Sequence, residues 1–185
     1  MTDLMAKADL RVKCEVSELK EYKILIVSDS HGIYEGIRQA IERELPFNLL
    51  VHCGDIEGNL ERCIGDAPAF EVKAVKGNCD YGDRLPPEEE FKAGFCNVFV
   101  THGDKYNVKY DRNLSVLKKA AKEKMADVVL FGHSHCAEIV EDEQNHILLI
   151  NPGSIGNPRT GAQQSTYATL TITDDYEVLP ELKSL

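Results

Sequence analysis

The sequence has no apolar run long enough to cross a bilayer, which excludes a helical membrane span. Its first twenty residues mix Asp, Lys, Arg and Glu with no continuous apolar stretch, so no secretory signal is expected and the expected location is cytoplasmic. The six cysteines, Cys14, Cys53, Cys63, Cys79, Cys96 and Cys136, form no CxxC pair. In a reducing cytosol they read as free thiols, neither a disulfide framework nor a structural zinc knuckle. Internal repeats, low-complexity tracts and interdomain linkers are also missing, and 185 residues suit one domain with a sizeable core. Basic residues are in deficit: 21 Lys and Arg against 31 Asp and Glu leave a net charge of −10. With no basic stripe to offset that charge, neither a nucleic-acid duplex nor an anionic membrane is an expected partner. An anionic substrate would have to be drawn in locally, as a pair of bound divalent cations can do.

Residues 1–20 show no clear periodicity and read as an N-terminal extension; residues 21–185 read as one domain. Lys23 to Ser28 (KILIVS) is a short apolar run of the kind found in a strand buried on both faces. Ile33, Ile37, Ala40, Ile41 and Leu45 recur at helical spacing, and Pro46 ends that helix. Asn48 to Cys53 predicts a second buried strand, Asn59 to Ile64 a short helix, and Phe70 to Lys76 a third strand. After a loop through Pro86-Pro87 and the acidic Glu88-Glu89-Glu90, Phe95 to Thr101 predicts a fourth strand. Leu114, Leu117, Ala121 and Met125 mark one face of a longer helix, and Asp127 to Phe131 a further buried strand. The alternation then stops. Cys136 to Glu141 and His146 to Asn151 predict a hairpin, Tyr167 to Thr173 a last strand, and Tyr176 to Leu179 its partner. An alternating first part and a strand-rich second part fit an α/β fold of four layers, a two-sheet β-sandwich flanked by helices.

The polar residues just past the strands carry the chemistry. They are Asp29-Ser30-His31, Gly54-Asp55, Gly77-Asn78-Cys79-Asp80, Thr101-His102-Gly103 and Gly132-His133-Ser134-His135. The steps His31 to Asp55, Asp55 to Asn78 and Asn78 to His102 are 24, 23 and 24 residues, one candidate ligand per strand-helix unit. Strand carboxyl ends share one edge of such a sheet, so these residues are expected to converge. Imidazole with carboxylate suits Mn, Fe, Co, Ni or Zn. Two such ions about 3.5–4 Å apart can hold a hydroxide and clamp both oxygens of an in-line displacement at phosphorus. Each motif alone is weak; five in order at five strand ends are not.

The series Asp29-x-His31, Gly54-Asp55, Gly77-Asn78, His102 and Gly132-His133-x-His135 resembles the motif set of the calcineurin-like metallophosphoesterase superfamily. The short chain and the run Asn151-Pro152-Gly153-Ser154 are similar to its small YfcE-like prokaryotic phosphodiesterases; the retromer subunit of the same fold is more distant. The resemblance spans about Tyr22 to Thr173 and implies a metallophosphoesterase domain over residues 21–185. It implies a phosphodiesterase acting on a small phosphoester through a hydroxide between two divalent ions, Mn first, with Ni, Fe, Co or Zn as alternatives. Asp29, His31, Asp55 and His135 would hold one ion, and Asp55, Asn78, His102 and His133 the other. Asp55, Asn78, Cys79 and His102 would be the catalytic set. Many members carry His after the motif Asn, where this chain has Cys79. A thiol can donate a proton but brings no positive charge, so weaker action on poor leaving groups is expected. The alternative is a non-catalytic metal-binding scaffold for protein partners, disfavoured because all seven ligand positions carry competent side chains. A homodimer is a further candidate arrangement.

Several residues carry two readings. Cys53 and Cys136 read as small buried fillers rather than ligands, His52 as a packing or supporting residue, and His146 as exposed. Asp80 is placed to orient a neighbouring ligand, and Glu88-Glu89-Glu90 reads as a solvated loop. Arg159 either grips a phosphate oxygen or belongs to a plain turn.

Overall fold

A computed structural model of the chain describes residues 21–65, 68–82, 84–156 and 164–185. The N-terminal extension, Cys14 and Arg159 lie outside the described residues. The elements run β1 (Tyr22–Val27), α1 (Glu35–Glu44), β2 (Leu49–His52), α2 (Glu61–Ile64), β3 (Glu71–Ala74), β4 (Glu88–Ala93) and β5 (Cys96–Thr101). They continue with α3 (Ser115–Glu123), β6 (Val128–Leu130), β7 (Ala137–Asp142), β8 (Ile147–Pro152), β9 (Thr166–Ile172) and β10 (Val178–Ser184).

Ten strands form two five-stranded sheets, ordered β10-β9-β1-β2-β3 and β4-β5-β6-β8-β7. Both are mixed: β1, β2 and β3 are parallel in the first, β5, β6 and β8 in the second, and hairpins fill the remaining positions. The continuous apolar runs are explained by burial on both faces. Ile24 and Ile26 of β1 join Val98, Val100, Val128 and Leu130 in the core between the sheets. The alternate residues Leu25 and Val27 pack under Ile37, Ala40 and Ile41 of α1. On the far side Phe99, Val129 and Phe131 pack under Leu117 and Ala121 of α3. The order is therefore helix, sheet, sheet, helix, the predicted four-layer α/β sandwich. No helix among the described residues is long and apolar enough to cross a membrane.

Four local expectations need correcting. Glu88 to Glu90 is not a loop but the first half of β4, an edge strand paired antiparallel with β5. Its charges are tolerated because an edge strand keeps one side open to water and because lysines meet them: Lys73 pairs with Glu89, and Lys124 Nζ lies 3.3 Å from Glu88. Helix α1 starts at Glu35, and Ile33 and Leu45 flank it about half exposed. Helix α3 stops at Glu123, leaving Met125 in left-handed backbone and exposed rather than on an apolar face. Cys136 is exposed, not a buried filler; Cys53 is buried. His146 is exposed, as predicted.

One polar node fixes the end of α1. Buried Glu44 accepts hydrogen bonds from Lys23 Nζ at 2.9 Å, Lys183 Nζ at 3.0 Å and Tyr167 Oη at 2.8 Å, joining α1 to β1, β9 and β10. Burial opposes its charge, but the bonds from Lys23, Lys183 and Tyr167 hold its pKa below the usual carboxylate value. A depressed folded pKa gives stability that is present above the unfolded value of about 4.3 and lost as pH falls through the folded value. Glu44→Ala is expected to lower unfolding free energy by about 2 kcal/mol at neutral pH, less than a fully buried pair because both lysines are partly exposed. Urea midpoints measured from about pH 6 down to about pH 3 should show this difference shrinking with acid.

Candidate metal centre

β1, β2 and β3 are parallel in one sheet, and β5 and β6 in the other, so five carboxyl ends open on the same end of the sandwich. Asp29 follows β1, Asp55 follows β2, Asn78 follows β3, His102 follows β5, and His133 and His135 follow β6. The loops are laced together by backbone hydrogen bonds: Asp29 N–H to Gly54 O, His31 N–H to Asp55 O, and Gly132 N–H to His102 O, at 3.0 to 3.1 Å. Five of the seven candidate ligands, Asp29, His31, Asp55, His133 and His135, have positive φ between 46° and 66°. Such backbone is costly for residues with a Cβ and persists where the surroundings enforce it, often at functional sites.

The seven side chains converge. His135 Nε2 is 3.1 Å from Asp29 Oδ1 and 3.3 Å from His31 Nε2. Asp55 Oδ2 lies between the two halves, 4.0 Å from His31 Nε2 and 3.4 Å from His102 Nε2. His102 Nε2 is in turn 3.1 Å from Asn78 Oδ1 and 3.2 Å from His133 Nδ1. The supporting bonds select which atoms face inward. His102 Nδ1 donates to Cys53 O at 2.9 Å, which turns Nε2 toward Asp55. Asp55 Oδ1 accepts from Cys79 N–H at 2.7 Å, leaving Oδ2 free to face both histidines. Asp29 Oδ2 accepts from Ser28 Oγ at 2.6 Å and His133 N–H at 3.1 Å.

This donor set fits divalent cations. Asp29 Oδ1 is buried and, beside the His135 ring at 3.1 Å, has no hydrogen bond of good geometry among the described residues, a shortfall that a coordinated ion would make good. Three groups, Asp29-His31-His135, His31-Asp55-Cys79 and Asp29-Asp55-His102, each place one ligand atom per residue within 4.8 Å of the others. The charges agree. Burial raises the pKa of Asp29 and Asp55, yet bonds from His135 and His102 respectively bring both below the usual carboxylate range. Burial opposes a charge on His102, but Asp55 and Asp29 raise its pKa to about 9. Held charged in this way, the ring would have to release a proton in order to hold a cation.

Around these side chains stand residues that the motif reading left in the background. His52 is buried, and burial drops its pKa to about 4, so it is neutral; its Nε2–H meets Ser30 Oγ at 3.0 Å and its Nδ1 accepts from Gly54 N–H. Asp80 accepts from Gly77 N–H at 2.9 Å and from Glu57 N–H at 2.8 Å, bracing the Asn78 loop. Asn151 binds Gly132 O and Ser134 Oγ through Nδ2, and Ser154 Oγ donates to Asp29 O at 2.8 Å. The run Asn151-Pro152-Gly153-Ser154, noticed in the sequence only as a resemblance, thus backs the Asp29 and His133 loops. Cys79 lines the centre; burial, then Asp55 and Glu57, push its thiol to about 12. Glu57 and Ser28 carried no sequence signal, and Ser30 stood only as the middle residue of Asp29-Ser30-His31.

The chain belongs to the calcineurin-like phosphoesterase superfamily, whose domain model matches residues 22–175. It is 40% identical over 156 residues to the probable metallophosphoesterase YsnB of Bacillus subtilis, covering 82% of this chain and 85% of that one. It is 32% identical over 156 residues to the phosphodiesterase MJ0936 of Methanocaldococcus jannaschii, covering 75% and 87%. Among solved structures, a predicted phosphoesterase from Streptococcus pneumoniae superposes with a TM-score of 0.69 at 25% identity, covering 90% of this chain and 99% of that one.

Proposed function

We propose that the protein is a phosphodiesterase that uses two divalent metal ions to hydrolyse a small phosphoester. The observation that carries this reading is the convergence of seven ligand-type side chains from five strand ends, with Asp55 Oδ2 facing both halves of the cluster. Asp29, His31, Asp55 and His135 would hold the first ion; Asp55, Asn78, His102 and His133 would hold the second. When bound, such a pair supplies a water-derived nucleophile at neutral pH and neutralises charge gathering on the phosphoryl oxygens. Mn is the first choice and Ni, Fe, Co or Zn are alternatives, because a mixed imidazole and carboxylate set favours borderline ions.

The protein residues have separable tasks. The Cys53 carbonyl fixes the His102 ring, and the Cys79 N–H orients Asp55. The thiol of Cys79, held protonated at neutral pH, stands beside Asp55 where it can give its proton to a leaving oxygen. A thiol with so high a pKa is a weak general acid, which favours esters with good leaving groups. Support for a diester comes from the relative named as a phosphodiesterase.

The test is hydrolysis of a chromogenic phosphodiester and its monoester by metal-stripped protein, with Mn, Ni, Zn or Mg restored one at a time. Diester turnover that needs metal and exceeds monoester turnover is the expected result; no turnover with any metal would favour a binding scaffold. Cys79→His is expected to accelerate poor leaving groups by about tenfold more than good ones. An unchanged ratio between the two would remove Cys79 from the proton-transfer step.

A further inference from the structure

Glu57 stands outside the ligand set, yet its Oε1 lies 2.5 Å from Nδ1 of His31. A carboxylate only accepts hydrogen bonds, so Nδ1 is the nitrogen that carries the proton. With Nδ1 committed to Glu57, Nε2 is the nitrogen turned inward, 3.3 Å from His135 Nε2 and 4.0 Å from each of Asp29 Oδ1 and Asp55 Oδ2. How far that Nε2 reaches toward His135 and the two carboxylates depends on how the two rings are held.

The backbone of Glu57 indicates what holds them. Its φ is 51°, a left-handed conformation that its side chain does not repay by core packing, since that side chain is 40% exposed. The conformation is enforced from outside: Asp80 Oδ1 accepts the Glu57 N–H, Asp80 Oδ2 accepts the Gly77 N–H, and Gly32 N–H donates to Ile56 O at 2.9 Å. Left-handed backbone pinned on two sides next to a metal-ligand candidate is the kind of feature that clusters at functional sites.

We infer that Glu57 is a positioning residue: it accepts the Nδ1–H of His31, fixes that ring and its tautomer, and so delivers Nε2 to the first ion. Asp80 anchors Glu57 and thereby ties the His31 half of the centre to the loop carrying Asn78 and Cys79. This inference rests on the metal-centre reading above. A carboxylate behind a metal-bound histidine also makes the ring a stronger donor.

Two readouts test it, one of them without metal. Nitrogen-correlated NMR of the metal-free protein should show His31 as the Nδ1–H tautomer in the wild type and in Glu57→Gln, whose carbonyl can still accept. Glu57→Ala, and Glu57→Asp with its shorter reach, should shift His31 toward the Nε2–H form. Calorimetric titration with Mn2+ should show one of two binding steps weakened about 10- to 100-fold in Glu57→Ala, less in Glu57→Gln, and the other step unchanged. Thermal melts of the metal-free variants, expected to match the wild type, exclude a folding defect. An unshifted tautomer with unchanged Mn2+ affinities in Glu57→Ala overturns the inference. A wild-type chain that binds no Mn2+ overturns the metal-centre reading itself, and the inference falls with it.

Discussion

Asp55→Ala is expected to reduce metal-dependent turnover by at least about a thousandfold, roughly 4 kcal/mol of transition-state stabilisation, while the chain stays folded. Asp55 is the side chain whose single oxygen faces both halves of the centre, 4.0 Å from His31 and 3.4 Å from His102. Its removal takes a donor from each proposed ion and also removes one of the two carboxylates that raise the His102 pKa. The expected binding signature is the loss of at least one ion per chain, measured by equilibrium dialysis with elemental analysis, with an unaltered far-ultraviolet circular dichroism spectrum. Loss of turnover with both ions still bound would mean that Asp55 acts some other way.

The second large effect comes from a residue with no side chain. A Cβ placed on Gly77 would overlap both the backbone nitrogen and Oδ1 of Asp55. Neither can retreat: the carboxylate is held by Cys79 N–H, and the Asp55 backbone is laced to His31. Gly77→Ala should therefore destabilise the fold by about 3 kcal/mol, the upper part of the range for overpacking. It should also weaken metal uptake, because the side chain it displaces is the proposed bridge. Urea denaturation of the metal-free protein separates the two effects. A variant as stable as the wild type would show that the loop yields without penalty.

Much of this centre was legible in the sequence because chain direction did the geometric work. Once the apolar runs at 23–28, 48–53, 70–76, 95–101 and 127–131 are read as parallel strands, their carboxyl ends must meet, and the polar residues there with them. What stayed hidden follows from terms that residue type does not encode. Glu88 to Glu90 looks like a loop because its charges say so, and only the pairing with β5 and the nearby Lys73 and Lys124 make it a strand. Strand β10 contains Pro180, which demotes a strand in any local reading but is tolerated at a sheet edge. In the centre, the candidate ligands announce themselves by type, whereas Glu57 is one more acidic residue in a chain with many. Its meaning appears only through a contact with His31 spanning 26 residues. The left-handed backbone at five candidate ligands is likewise a product of the laced loops, and no propensity of Asp or His foretells it in that density.

The central claim is a site for two ions, and counting them is the most direct test. Metal-stripped wild-type protein, equilibrated with excess Mn2+ and freed of unbound ion, should carry two Mn2+ per chain by elemental analysis. His102→Ala and His135→Ala, which each remove a donor from one proposed position only, should carry one. A folded wild-type chain that retains one ion or none under saturating Mn2+, Zn2+ and Ni2+ alike would contradict the account.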